Sequence, residues 1–274
     1  MNMALTTSRQ HSKSFADTNL NMLESDFLCD VTFAAGNEQQ LIKCHKFILA
    51  SRSPVFHAMF CGPLAESSDV IYVPDIEPST FEDLLRYVYT GNVSIKADTV
   101  MSVLYAAKKY DVRGLESKCK SFLIDNMDSE NVCIILDQSV VFNDEDLKDT
   151  SLEFIMDQYE NVLNSRAFVR MSKLGLGEVL KLKTFNTKQY ELYFACKRWV
   201  TEIYSEAGIH VTNEHIRQEL GDELISLINF PALTLDECAD IVYSENRDSE
   251  LGVESKKMSH NALTDNETYT CVLL

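Results

Sequence analysis

The chain has 274 residues, 45% hydrophobic and 24% charged, which suits one large or two ordinary globular domains and permits sizeable cores. Its net charge of −17 is uneven: positions 128–247 carry 11 basic and 22 acidic residues, against 12 and 15 in the first 127. That field repels phosphate backbones, and no basic stripe or zinc-finger spacing offsets it, so the reading excludes direct binding of nucleic acid.

No window approaches the run of about 20 apolar residues that a membrane span needs, and the polar N-terminus, with Arg9 and Lys13, has no signal-peptide core. The expected location is intracellular, in the cytoplasm. The eight cysteines include no C-x-x-C pair. Cys29, Cys44, Cys119, Cys133 and Cys196 lie among apolar residues and read as free buried thiols. His210 and His215 form too weak a pair for zinc, and no metal or cofactor is expected.

In chain order, residues 1–14 are polar, and Phe15, Leu20 and Leu23 mark one apolar side of a short helix. Cys29 to Ala34 and Gln40 to Cys44 read as strands joined through a Gly36-Asn37 turn. The chain is organised around the stretch from Lys43 to Phe60. There Phe47, Ile48, Val55, Phe56, Met59 and Phe60 fall at helical spacing on two short helices. Ser53 caps the second, Pro54 opens it, and Gly62-Pro63 stop it. A strand follows at Val70 to Val73. A helix from Pro78 carries Phe81, Leu84, Leu85, Val88 and Tyr89 on one face and stops at Gly91. Further helices are expected from Asp98 and from Asp111.

From Asp128 the pattern is helical only. Val132, Ile135 and Leu136, then Leu147, Phe154 and Ile155, then Leu174 to Leu182, then Tyr190 to Ile203 around the single Trp199 predict antiparallel helix pairs. From Ser244 the chain is polar and no fold is expected. The acidic runs DNMDSE and NDEDLKD flank helix starts and read as caps. No nucleophile motif, phosphate loop, dinucleotide fingerprint or H-E-x-x-H is present, so the expected function is not enzymatic.

Asp30, His45, Leu49, Ala50, Ser53, Phe56 and Phe60 reproduce an acid in the first strand, then H-x-x-x-L-A-x-x-S and an aromatic-rich helix. This pattern resembles the BTB (POZ) family. YVPDIEPSTFEDLLRYVYTGNV and YAAKKYDVRGLESKCKSFL are similar to the second half of that domain. FNTKQYELYFACKRWV, with Trp199, and IRQELGDELISLINFPALTLDECADIV resemble a BACK domain, as found in BTB-BACK-PHR and kelch-type ubiquitin-ligase adaptors.

The resemblance implies an α+β BTB domain over 15–127 and an all-α BACK domain over 128–243, between a flexible segment 1–14 and a disordered tail 244–274. It implies a two-fold dimer, with itself or a related BTB protein, through Phe15, Leu20, Leu23, Asp30, Val31, His45, Lys46 and Leu49. The opposite charges of Asp30 and Lys46 would lie in a pocket near the dimer axis. Leu64, Ala65 and Glu66 sit where members that engage cullin-3 carry a hydrophobic-x-Glu triplet. Only about thirty polar residues stand where such adaptors place a kelch or PHR module. The ending Cys271-Val272-Leu273-Leu274 has the form of a geranylgeranylation signal, with membrane association through Cys271. The implied function is a non-enzymatic dimeric adaptor linking an unidentified client to a cullin-3 RING ubiquitin ligase. The alternative is a structural or regulatory dimerisation protein, including a competitor of complete adaptors.

Overall fold

The computed structural model describes residues 14–63, 65, 66, 68, 70–182 and 189–241. The chain divides after Asn126 into two compact units. The first is α+β and the second helical.

The first unit opens with α1, Phe15–Glu24, whose Ser14 and Asp17 form a capping box. Strands β1 (Val31–Ala35), β2 (Gln40–Cys44) and β3 (Val70–Val73) form one sheet in the order β2-β1-β3. β1 pairs antiparallel with β2 and parallel with β3, so Phe33 lies opposite both Ile42 and Ile71. The hairpin turn needs Gly36: its φ is 68°, its N–H donates to the Val73 carbonyl at 3.0 Å, and a Cβ there would meet Pro78 Cδ at 2.8 Å. β1 starts two residues later than its apolar pattern predicts. Asp26 and Leu28 hold positive φ values of 52° and 61° and turn the chain before pairing begins at Val31.

The helix pair follows as α2 (Lys46–Arg52) and α3 (Pro54–Cys61). Phe56 stacks on Tyr110 at 4.2 Å between ring centroids, and Phe33 meets Phe81 at 5.1 Å and Phe56 at 5.8 Å. Phe47, expected inward, is 82% exposed. α2 has seven residues and buries Leu49. A residue two positions away lies on nearly the opposite side of a helix. Ser53 joins this pair to the rest of the unit: its buried Oγ accepts from the Phe56 N–H at 3.1 Å and donates to the Tyr110 carbonyl at 2.5 Å.

α4 (Pro78–Thr90) buries the five predicted apolar residues and ends in a left-handed Gly91 cap at φ 75°. α5 is Val100–Lys109 and α6 Arg113–Asp125, with Thr99 and Val112 at their N-caps rather than Asp98 and Asp111. Asp111 instead sits at φ 48° and accepts from Arg113 Nε at 3.1 Å. Asp75, just after β3, holds α5 through Tyr105 Oη at 2.5 Å and Lys109 Nζ at 2.6 Å. Burial alone would raise the Asp75 carboxyl, but these bonds outweigh it and hold it below its usual value.

The second unit contains α7 (Val132–Val141), α8 (Glu145–Asp157), α9 (Tyr159–Asn164), α10 (Arg166–Val169), α11 (Lys173–Leu180), α12 (Gln189–Ser205) and α13 (Asn213–Ile225). A 3₁₀ turn at Phe230–Ala232 and a helical stretch over 235–241 follow. Trp199 lies in this core and its Nε1–H donates to the Met171 carbonyl at 2.9 Å. Gly221, at φ 74°, kinks α13. One acidic run caps a helix, Asp144 accepting from the Leu147 N–H at the start of α8, whereas Asp128 accepts from the Glu130 and Asn131 N–H groups in the turn before α7. His215 Nδ1 accepts from the Thr212 N–H at 3.1 Å and so serves the start of α13.

Seven cysteines among the described residues are unpaired, and burial pushes the thiols of Cys119, Cys133 and Cys196 up to about 12. No helix among these residues is long and apolar enough to cross a membrane.

Replacing Ser53 with Ala should destabilise the first unit by about 1–3 kcal/mol, because a helix cap is lost and the buried Tyr110 carbonyl loses its hydroxyl donor. Urea unfolding monitored by circular dichroism measures the loss.

Candidate protein-binding surfaces

α1 docks on α4 of its own subunit. Asn19 Nδ2 donates to the Tyr89 carbonyl at 3.1 Å, and Glu24 approaches Arg86 at 3.7 Å. This contact covers only part of the helix. No α1 residue is fully buried, Leu20 and Leu23 are half-buried, and Phe15 is 77% exposed. The loop after α1 exposes Phe27 and Leu28, and α2 exposes Phe47.

These segments are held together from beneath. His45, 7% exposed, places Nε2 2.7 Å from the Phe27 carbonyl, so that nitrogen carries the proton. Nδ1 is then an acceptor and takes the Tyr89 hydroxyl proton at 2.8 Å, while the same hydroxyl accepts from the His45 backbone N–H at 2.9 Å. Burial, with smaller contributions from its neighbours, drives the Tyr89 phenol well above its ordinary value, which keeps it a donor.

Asp30 Oδ1 accepts from the Lys46 backbone N–H at 2.7 Å and places its charge at the start of α2. The Lys46 ammonium lies 5.7 Å from the Phe60 ring centroid. The acid predicted for the charged pocket therefore meets the Lys46 backbone, while the Lys46 ammonium lies near the Phe60 ring.

Of the residues that the resemblance assigns to the interface, Leu49 is fully buried and Val31 and His45 are each 7% exposed within the subunit, so these three offer little surface of their own. Conversely, Phe27, Leu28 and Phe47 were missed as surface residues. Only the seven-residue length of α2 would have put Phe47 outside, and nothing periodic marks the 27–28 loop.

The second surface follows α3. Gly62 turns the chain so closely that a Cβ there would clash with the Ala58 carbonyl oxygen. Ala65 N–H then donates to the Gly62 carbonyl at 3.1 Å and Glu66 N–H to the Met59 carbonyl at 2.8 Å. Ala65 and Glu66 are exposed, and Glu66 Oε1 accepts from the Ser68 N–H at 3.1 Å. Leu64 and Cys271 lie outside the described residues.

A three-stranded mixed sheet under a buried aromatic helix pair, followed by a helical unit built on a central Trp, meets two family descriptions. Residues 20–127 match the BTB/POZ domain and residues 132–243 match BACK, described as BTB And C-terminal Kelch. This chain belongs to the BTB-BACK family. It is 36% identical over 226 residues to BTB/POZ domain-containing protein 3 of Homo sapiens, covering 82% of this chain and 43% of that protein. It is 36% identical to BTB/POZ domain-containing protein 6-B of Danio rerio, over 82% and 47%, and 34% identical to protein 6 of Homo sapiens, over 82% and 42%. The chain spans less than half the length of these relatives. BTB and BACK are protein-interaction domains.

Tyr89→Phe should cost about 1–3 kcal/mol by leaving the buried His45 N–H and Nδ1 without their shared partner. The variant's urea midpoint, compared with that of the parent, tests this, and an unchanged midpoint would contradict the network.

Proposed function

We propose that this BTB-BACK chain is a dimeric adaptor that brings client proteins to a cullin-3 RING ubiquitin ligase. The observation that carries the reading is the hydrophobic-x-Glu triplet, Leu64-Ala65-Glu66, directly after α3 of a BTB domain with a BACK domain behind it. The backbone bonds of Ala65 to Gly62 and of Glu66 to Met59 of α3 support it, since a contact surface held before binding loses less entropy when it docks.

Dimerisation is supported by the exposed Phe15, Phe27, Leu28 and Phe47, an unusual concentration of large apolar side chains along α1, its following loop and the start of α2. Obligate interfaces bury about 2,000 Å² or more, and aromatic anchors of this kind carry much of their energy.

The double substitution Leu64→Ala/Glu66→Lys should weaken capture of a cullin-3 N-terminal domain by about 2 kcal/mol or more, near thirtyfold, with folding spared. Titration calorimetry gives the comparison, and equal affinity of a folded double variant would rule the triplet out.

Phe15→Asp/Phe47→Asp should turn the dimer into a monomer while changing subunit folding stability by only about 0.5 kcal/mol, as surface positions do. Light scattering at micromolar concentration is the measurement, and a monomeric parent protein would refute the dimer outright.

A further inference from the structure

In the second unit, α9 and α12 enclose a groove of about 380 Å³ lined by Tyr159, Leu163, Tyr190 and Phe194. Tyr190 and Phe194 meet edge to face at 4.8 Å, so ring faces and edges form part of the wall. The rim is acidic. Glu160 and Glu191 line the groove, and burial, with Asp240 and Glu237 close by, raises the Tyr190 hydroxyl above its ordinary value. The cation among the lining residues is Arg198, and its guanidinium already donates to the Leu163 carbonyl.

We propose that this groove binds a short basic segment of a partner protein, which inserts an apolar side chain between α9 and α12 and sets a Lys or Arg against the aromatic rings. Charge complementarity selects that occupant. Glu160 and Glu191 line the groove with one cation, Asp240 and Glu237 lie near the Tyr190 hydroxyl, and residues 128–247 hold 22 acidic against 11 basic residues, so an acidic segment would be repelled. The rings give a cation a second attraction, through their negative faces. A volume of 380 Å³ lies at the small end of ligand sites and suits one or two side chains. As a client-reading site the groove rests on the adaptor reading above, whereas the binding itself does not require it.

The test is fluorescence anisotropy on the purified full chain, with a labelled nonapeptide alternating leucine and arginine and its counterpart carrying glutamate for arginine. The basic peptide should bind saturably with one-to-one stoichiometry, and the acidic one should not bind. Glu160→Lys/Glu191→Lys should lower the affinity tenfold or more. Glu160→Gln/Glu191→Gln should lower it severalfold and guards against a folding defect in the lysine pair. Glu206→Lys/Glu214→Lys, an equal charge change elsewhere on the unit, should leave binding near the parent value.

Absence of binding by the basic peptide, or an equal loss in the Glu206/Glu214 pair, would overturn the proposal. So would hydrogen exchange showing α9 and α12 protected in the parent and opened by Arg247→Glu, which would give the groove to residues 242–247 of this chain. Cullin-3 capture by the Glu160/Glu191 variants should match the parent, so failure of the groove and failure of the adaptor reading are separate results.

Discussion

The first unit depends on the mutual burial of Phe33, Phe56, Phe81 and Tyr110, contributed by β1, α3, α4 and the end of α5. Each ring removes a large apolar area from water, and their edge-to-face and stacked contacts fix the elements relative to one another. Ser53 adds direction to this packing, because one hydroxyl both caps α3 and bonds the Tyr110 carbonyl. The helix pair is thereby set against α5 in one orientation. Both candidate surfaces inherit it, since Asp30 and His45 sit at the entrance to α2 and the triplet leaves the end of α3.

The polar groups near the first surface solve a burial problem. His45 is nearly enclosed, and its ring nitrogens and backbone N–H are satisfied by the Phe27 carbonyl and the Tyr89 hydroxyl. Asp30 supplies an acceptor to the start of α2, where His45 at the N-cap position gives no side-chain cap. With these groups satisfied inside, Phe15, Phe27, Leu28 and Phe47 stay exposed beside charged neighbours such as the Asp26–Lys43 and Glu24–Arg86 pairs.

Charge separates the two units. The first is nearly balanced, and several of its ion pairs are local, such as Glu116 with Lys108 at 3.2 Å and Lys120 at 2.9 Å. Burial would raise the Glu116 carboxyl, but the two lysines hold it down. The second unit carries most of the negative charge, part of it around an aromatic groove. The BTB unit thus presents an apolar face and the BACK unit an acidic one, which suits two different kinds of partner.

The sequence by itself determined the element order, the αL stop at Gly91, the Ser53–Pro54 start of α3 and the place of Trp199, because these rest on local backbone chemistry or strong periodicity. It also carried the family, since the spacing from Asp30 to Phe60 is dictated by one hairpin leading into one helix pair. Only the tertiary structure decided which apolar residues face out. Phe47 and Leu49 lie two positions apart in a seven-residue helix too short for a periodic stripe, and the fold buries Leu49 while leaving Phe47 outside. Likewise Asp98 and Asp111 resemble N-caps in sequence, but the backbone enters α5 and α6 one residue further on, at Thr99 and Val112. The groove between α9 and α12 was not legible at all. Tyr159 and Tyr190 are thirty-one positions apart, and Asp240 lies fifty beyond Tyr190, so only long-range packing brings rings and carboxylates to one place.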